Sequence, residues 1–279
     1  MSTKIFDCEV YRDYFLAAFR DVDTGEVSTF EQYDGHPLDV RGLRRTMSAN
    51  TVVSFNGKRF DAPIVAYAIS GADCLELKKL CDAIIGKNLQ PWQVANLFGF
   101  DIPEDWDHID LFDVAPGMAS LKIYAGRLHS KKLQDLPIEP DASITEDLRP
   151  ILRDYCVNGD TVATLDLLNK LQPQIELREA MSKEYKIDLR SKSDAQIAEA
   201  VIKAQVGKIL ARKVERPVIP PGTAYKYKPP FWLNFQTPQL CEALRIASTA
   251  EFFVADSGAM LMPKELGSLK ITIGQSTYQ

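Results

Sequence analysis

The sequence predicts an α/β layer protein built on a mixed sheet, and three observations carry that expectation. Three short β-branched and aromatic runs cluster at the start, at Lys4 to Val10, Tyr14 to Asp21 and Glu26 to Gln32, with turn residues between them. A compact apolar run, Thr51 to Phe55, has the pattern of a buried strand. Beyond it helical spacings dominate, interrupted by one more strand at His108 to Val114.

The elements follow in order. Tyr11-Arg12-Asp13 and Asp21-Val22-Asp23-Thr24-Gly25 separate the first three strands, making them an antiparallel meander. A helix is expected over Leu38 to Met47. Asp61-Ala62-Pro63 opens another that runs to Ile69, since Asp near the N-cap and Pro in the first turn start helices. Further helices are expected at Cys74 to Ile85, Pro91 to Leu97, Gly117 to Leu128 and Thr145 to Leu171, with Ser143 and Thr145 as cap candidates for the last. Ile175 to Ala211 is helix-forming, with Ser193 as a cap inside it. Arg216 to Gly222 breaks regular structure. The tail carries an expected strand at Phe231 to Phe235, a helix after Pro238, and strands at Glu251 to Val254 and Lys270 to Ile273. The expected division is a domain over residues 1–173 and a smaller helical, then α+β, C-terminal region over 174–279.

Of the 279 residues, 46% are hydrophobic and 25% charged, which suits a folded globular protein and excludes disorder as the main theme. That length buries a core without disulfide or metal staples, so a metal would be functional. Five cysteines with no CxxC pair point to a reducing compartment. With no spanning apolar stretch and no leader-like segment, a cytoplasmic protein is expected, with no membrane partner. The net charge of −5 is unevenly spread. Residues 1–174 carry −9, 175–232 carry +5 and 233–279 carry −1. The basic segment is suited to phosphate.

Most acidic residues only solvate a surface, but three groups stand where that is not expected. Asp7 and Glu9, two apart on the first strand, point to one sheet face while Phe6, Cys8 and Val10 point to the other. Asn56-Gly57-Lys58-Arg59-Phe60-Asp61 joins a buried strand to a helix, where Asp61 would ordinarily be a cap. Tyr155-Cys156-Val157-Asn158-Gly159-Asp160 lies in or at the start of a long helix.

In this order, the three groups resemble the Exo I, Exo II and Exo III motifs of the DEDD superfamily of 3′→5′ exonucleases, which includes polymerase proofreading domains. Asp7 and Glu9 match Asp-x-Glu; Asn56, Phe60 and Asp61 match Asn-x-x-x-Phe-Asp; Tyr155 and Asp160 approximate the third. The resemblance covers residues 4 to about 172. It implies an RNase H-like (DnaQ-like) fold with a mixed five-stranded sheet flanked by helices. It also implies two divalent cations, Mg²⁺ or Mn²⁺, about 4 Å apart, held by Asp7, Glu9, Asp61 and Asp160, with Asp7 bridging and Tyr155 orienting the attacking water. The substrate implied is a single-stranded DNA 3′ end. The texture after residue 174 resembles the region following the exonuclease in phage family B-type polymerases, which implies a separate polymerase partner, or a lost polymerase half, and, for a phage-encoded protein, the bacterial host cytoplasm. A silent DNA-binding or polymerase-docking module and a ribonuclease of the same superfamily are the alternative functions.

One spacing departs from the family. Tyr155 and Asp160 are five apart where Tyr-x-x-x-Asp is usual, and on a regular helix five residues leave two side chains about 140° apart. A π-bulge or kink beside Gly159 restores convergence; Tyr155 placed before the helix, as in the histidine subclass, is a second arrangement; an inactive enzyme is a third. For the substrate track, Lys122 and Arg127 lie in a basic and aromatic stretch suited to a single strand, and Phe60, Lys58 and Arg59 lie near the terminal nucleotides by resemblance. His36, His108 and His129 have no metal-ligand spacing.

Overall fold

The computed structural model describes residues 2–215, 218–267, 271–273 and 276–278, and the chain divides into two compact units, 1–212 and 213–279. In the first, strands β1 (Thr3–Tyr11), β2 (Tyr14–Asp21), β3 (Val27–Tyr33), β4 (Thr51–Ser54) and β5 (His108–Asp110) form one mixed sheet in the order β3-β2-β1-β4-β5. β1, β2 and β3 are antiparallel neighbours; β4 runs parallel to β1 and β5 parallel to β4. The expected mixed five-stranded sheet flanked by helices is present.

Alternation along β1 and β2 sends side chains to two differently built faces. On one, Phe6, Cys8, Phe15, Ala17, Phe19 and Val52 form a continuous core with residues of α1 (Val40–Ala49), α2 (Asp61–Ile69), α3 (Cys74–Lys87) and α4 (Pro91–Phe98). Phe6 stacks on Phe19, ring centroids 5.1 Å apart. The other face lies under α5 (Leu121–Arg127), α6 (Arg149–Tyr155) and α7 (Thr161–Tyr185), and its apolar residues fall into two groups. Ile5, Val53 and Ile109 pack with Leu167, Leu168 and Leu171; Tyr11, Tyr14, Leu16 and Ala18 pack with Leu152 and Cys156. Between Ile5 and Tyr11 on that face stand Asp7 and Glu9, opposite Ala18 and Leu16 of β2.

α6 and α7 are joined without a break by the π-helical turn Cys156–Asp160, the bulge expected beside Gly159. Helix continues through Pro173 to Tyr185, so the expected boundary at 173/174 falls inside a helix, and the compact unit runs on through α8 (Asp194–Leu210). Ser193 caps α8 as expected, its hydroxyl accepting from the Gln196 amide. β5 stops at Asp110, short of Val114, because the chain turns there with the Asp110 carboxylate accepting the Phe112 amide.

In the second unit, β6 (Ala224–Lys226), β7 (Glu251–Val254) and β8 (Met260–Leu261) form an antiparallel sheet, with α9 (Pro238–Thr249), α10 (Lys264–Gly267) and a hairpin of β9 (Ile271–Ile273) with β10 (Ser276–Tyr278). The expected strand at Phe231–Phe235 is absent. Pro229 and Pro230 offer no amide donors, and a turn follows in which the Leu233 amide bonds to the Pro230 carbonyl. Arg216, Pro217 and Lys270, which fall in two of the expected segments, lie outside the described residues. Among the described residues no helix is long and apolar enough to cross a membrane.

Candidate active site

Asp7 and Glu9 reach one face because β1 is regular there, and Asp61 reaches the same place because β4 is short. β4 pairs with β1 only as far as Ile5↔Val53. The Cys8 amide therefore has no β4 partner, and the Asp61 carboxylate takes it, Oδ1 accepting at 3.1 Å. Asp61 is the first residue of α2, whose N-cap position is Phe60, so the ordinary reading of Asp61 as a cap does not hold. Its carboxylate is spent on the edge of β1.

The loop that delivers Asp61 is held by a residue the sequence did not flag. Asp110, at the end of β5, accepts the Asn56 amide at 2.7 Å and the Lys58 amide at 2.9 Å. Asn56 adopts a left-handed conformation, φ 63°, and Gly57 follows it with no room for a side chain. A Cβ there would overlap the Ser54 side chain and come within 3.1 Å of Asp61 Oδ2. Ser54 is fixed in turn by a buried 2.7 Å hydrogen bond between its Oγ and His108 Nε2. Burial keeps His108 neutral, its pKa lowered to about 3; it is a structural histidine. The one sequence signal for Asp110 was an acid inside the expected strand His108 to Val114.

Asp160 arrives through the π turn. Closure by i→i+5 hydrogen bonds brings residues five apart back to one side of the helix, and burial raises the Asp160 pKa while the hydrogen bond from the Tyr155 hydroxyl offsets part of that rise. Gly159 is not what permits this: its φ is not positive and a Cβ there would meet nothing within 4 Å. Arg20 of β2 holds the turn instead. Its guanidinium donates to the Val157 carbonyl at 2.8 Å and to Thr161 Oγ1 at 3.2 Å, satisfying a helix carbonyl beside the bulge. Arg20 shares a sheet face with Leu16 and Ala18, a cation in an otherwise apolar row, which was the legible signal for its role.

The result is four carboxylates in mutual electrostatic reach. Burial first, then Asp61, Asp160 and Glu9, pushes the Asp7 pKa well up. Burial, then Asp160 and Asp61, does the same to Glu9. Asp61 is pushed up to about 7 by burial and then by Asp110, and burial raises Asp160. Cys156, fully buried, points its thiol at Asp7 Oδ2, 3.3 Å away. Glu9 is 91% buried, and none of the hydrogen bonds or ion pairs among the described residues reaches its carboxylate. The Lys122 charge offsets part of the rise that burial gives Glu9 and Asp160; its own ion pair is with Asp135, at 3.0 Å.

Negative charge this concentrated and this poorly matched by protein cations fits a divalent ion, and the carboxylate oxygens that make up most of the donors fit a hard one. Tyr155, 4% exposed, is held neutral: burial, with Asp160 and Glu9 beside it, pushes its phenol far above the ordinary value. It can donate or accept a hydrogen bond at this site but cannot act as a base.

The proposed substrate residues are placed less uniformly. Lys122 faces the carboxylates, while Arg127, at the other end of α5, lines a separate groove with Pro116, Leu128, Lys170 and Gln174. Phe60 is half-buried against the α1–α4 core. The Lys58 ammonium donates to Ser191 Oγ at 2.9 Å, tying the Asp61 loop to the Asp188–Ser193 segment, and Arg59 is exposed. Comparison of the chain with protein-family models, with curated proteins and with solved structures returns no match to any of them.

Proposed function

We propose that this protein is a metal-dependent 3′→5′ exonuclease of the DEDD type that hydrolyses single-stranded DNA, with the RNase H-like arrangement of its mixed sheet, and that it serves a phage-type polymerase in proofreading. One observation carries the reading: carboxylates from three distant stretches of sequence come within electrostatic reach of one another, and the irregular Tyr155 to Asp160 spacing is absorbed by a π turn that brings the two residues together. An accidental acidic surface has no reason to bury Glu9 or to build a bulge.

Asp7, Glu9, Asp61 and Asp160 would hold the two divalent ions. Bound Mg²⁺ or Mn²⁺ activates water and stabilises the oxygen that leaves. The chain's own residues do the positioning. The Cys8 amide fixes one Asp61 oxygen. Tyr155, kept protonated, orients the attacking water through its hydroxyl. Lys122, beside Glu9 and Asp160, offers positive charge to the incoming phosphate. Phe60, with Lys58 and Arg59 on the same loop, is offered to the terminal nucleotide. The basic 175–232 segment is suited to the DNA backbone or to a polymerase partner.

The test is a 5′-labelled single strand incubated with the protein and Mg²⁺ or Mn²⁺. A ladder shortening from the 3′ end is expected, and EDTA removes it. Cleavage that survives EDTA contradicts the metal mechanism, binding without cleavage in either metal identifies a silent module, and a ladder seen only with an RNA strand makes the protein a ribonuclease.

A further inference from the structure

The thiol of Cys156 is the one soft donor at a site otherwise made of hard oxygens. One ligand atom each from Asp7, Glu9 and Cys156 lie within 4.8 Å of one another, a span that one ion at ordinary bond lengths of roughly 2.0–2.3 Å reaches with a small side-chain adjustment. Independently of that cluster's geometry, Glu9 as a residue is 91% buried on this side of the sheet and its side chain makes no hydrogen bond or ion pair among the described residues, the nearby Lys122 ammonium being paired with Asp135. Cys8 contributes nothing here, since it faces the opposite core with Phe6.

We infer that the site takes a single thiophilic divalent ion, Zn²⁺ or Cd²⁺, through Cys156, Asp7 and Glu9, and that this ion excludes the hard ions. The inference rests on the proposed metal centre for its carboxylates, but not on nuclease activity. Soft thiolate ligands favour such ions where carboxylates alone favour Mg²⁺ or Mn²⁺. On binding, the Cys156 S–H proton passes to solvent, the S–metal bond forms, and the hydrogen bond to Asp7 Oδ2 is lost. Because Asp7 is committed to the soft ion, Mn²⁺ is displaced. Trace Zn²⁺ thereby becomes an inhibitor that Mg²⁺ does not readily reverse.

The experiment is a Cd²⁺ titration of the full chain carrying Cys241→Ser, which removes the one exposed cysteine, read by the ultraviolet thiolate-to-cadmium charge-transfer band and, in parallel, by release of bound Mn²⁺ in electron paramagnetic resonance. The band is expected to saturate at one equivalent while Mn²⁺ is released. Adding Cys156→Ser removes the band; Cys156→Ala serves as the second variant, and circular dichroism checks that each is folded. No band in the parent, or a band undiminished in both folded variants, overturns the inference. A band with no DNA ladder in Mg²⁺ keeps this inference and removes the nuclease reading, whereas a ladder with no band does the reverse.

Discussion

The two faces of β1 are made of alternate residues of the same nine-residue strand, yet they do opposite things. Phe6 and Cys8 join an unbroken apolar core. Asp7 and Glu9 split the apolar packing of the other face into two groups and set carboxylates where burial raises their pKa values. One face supplies stability. The other costs stability when it is ionised and empty, and a residue pattern that costs stability in a core is where function is to be sought.

Substitutions can break this contrast from either side. Asp7→Asn should lower the rate of strand shortening by on the order of 10³-fold or more, about 4 kcal/mol of barrier, while raising the melting temperature of the metal-free protein, because a buried like-charge repulsion is gone. Phe6→Ala should do the converse: urea unfolding should show a loss of about 3–5 kcal/mol, with cleavage retained wherever the variant is folded. Activity and stability moving together in Asp7→Asn would contradict the division of labour.

A pH series sharpens the same point. Asp7, Glu9, Asp61 and Asp160 have raised pKa values in the folded chain, so over the window between their ordinary and raised values the native state binds more protons than the unfolded state. Stability must then fall as pH rises. For Asp61 the window runs from 3.8 to about 7 and corresponds to at most about 4 kcal/mol. Melts in EDTA should therefore be higher at pH 5 than at pH 8, and Mg²⁺ should recover the loss at pH 8. Between those two pH values the carboxylates whose pKa values are lowered, such as Asp21 and Asp107, remain ionised; His108, lowered to about 3 by burial, opposes the trend by about 2 kcal/mol at pH 5, which the four raised carboxylates together exceed.

The smallest expected effects distinguish two glycines. Gly57→Ala has no space beside Ser54, whose side chain it overlaps, and comes within 3.1 Å of Asp61 Oδ2; it should cost about 1–3 kcal/mol together with part of the activity, since the shift of Ser54 disturbs the loop that delivers Asp61. Gly159→Ala meets nothing within 4 Å and, in a helical segment, should leave stability within about 1 kcal/mol or raise it slightly. Thermal melts and the end-labelled ladder read both.

Much of this was legible in the sequence for a definite reason. β2 and β7 lie where alternation and turn residues put them, Tyr14–Asp21 and Glu251–Val254, because both the face and the ends of a short strand are written locally. The five-residue Tyr155 to Asp160 spacing announced a bulge, because an odd spacing on a helix has few remedies. What holds the bulge was legible only in part: Arg20 stands out as a cation in an apolar row, but it is 141 residues from the Thr161 hydroxyl it bonds, and no local pattern joins them. Asp110, the acceptor that shapes the Asn56 to Phe60 loop, lies 54 residues from Asn56. Asp61 looked like a cap because Asp before Ala-Pro ordinarily is one; only the early end of β4 frees the Cys8 amide that takes its carboxylate. Phe231 to Phe235 looked like a strand by composition, and two prolines overrode it.

The central claim is that Asp160, brought in by the π turn, belongs to one metal centre with Asp7, Glu9 and Asp61. Mn²⁺ binding followed by electron paramagnetic resonance, for the full chain and for Asp160→Asn, tests it most directly. Two bound ions in the parent and at most one tightly bound ion in Asp160→Asn is the predicted result. Equal Mn²⁺ binding by both proteins, or none by either, would contradict it.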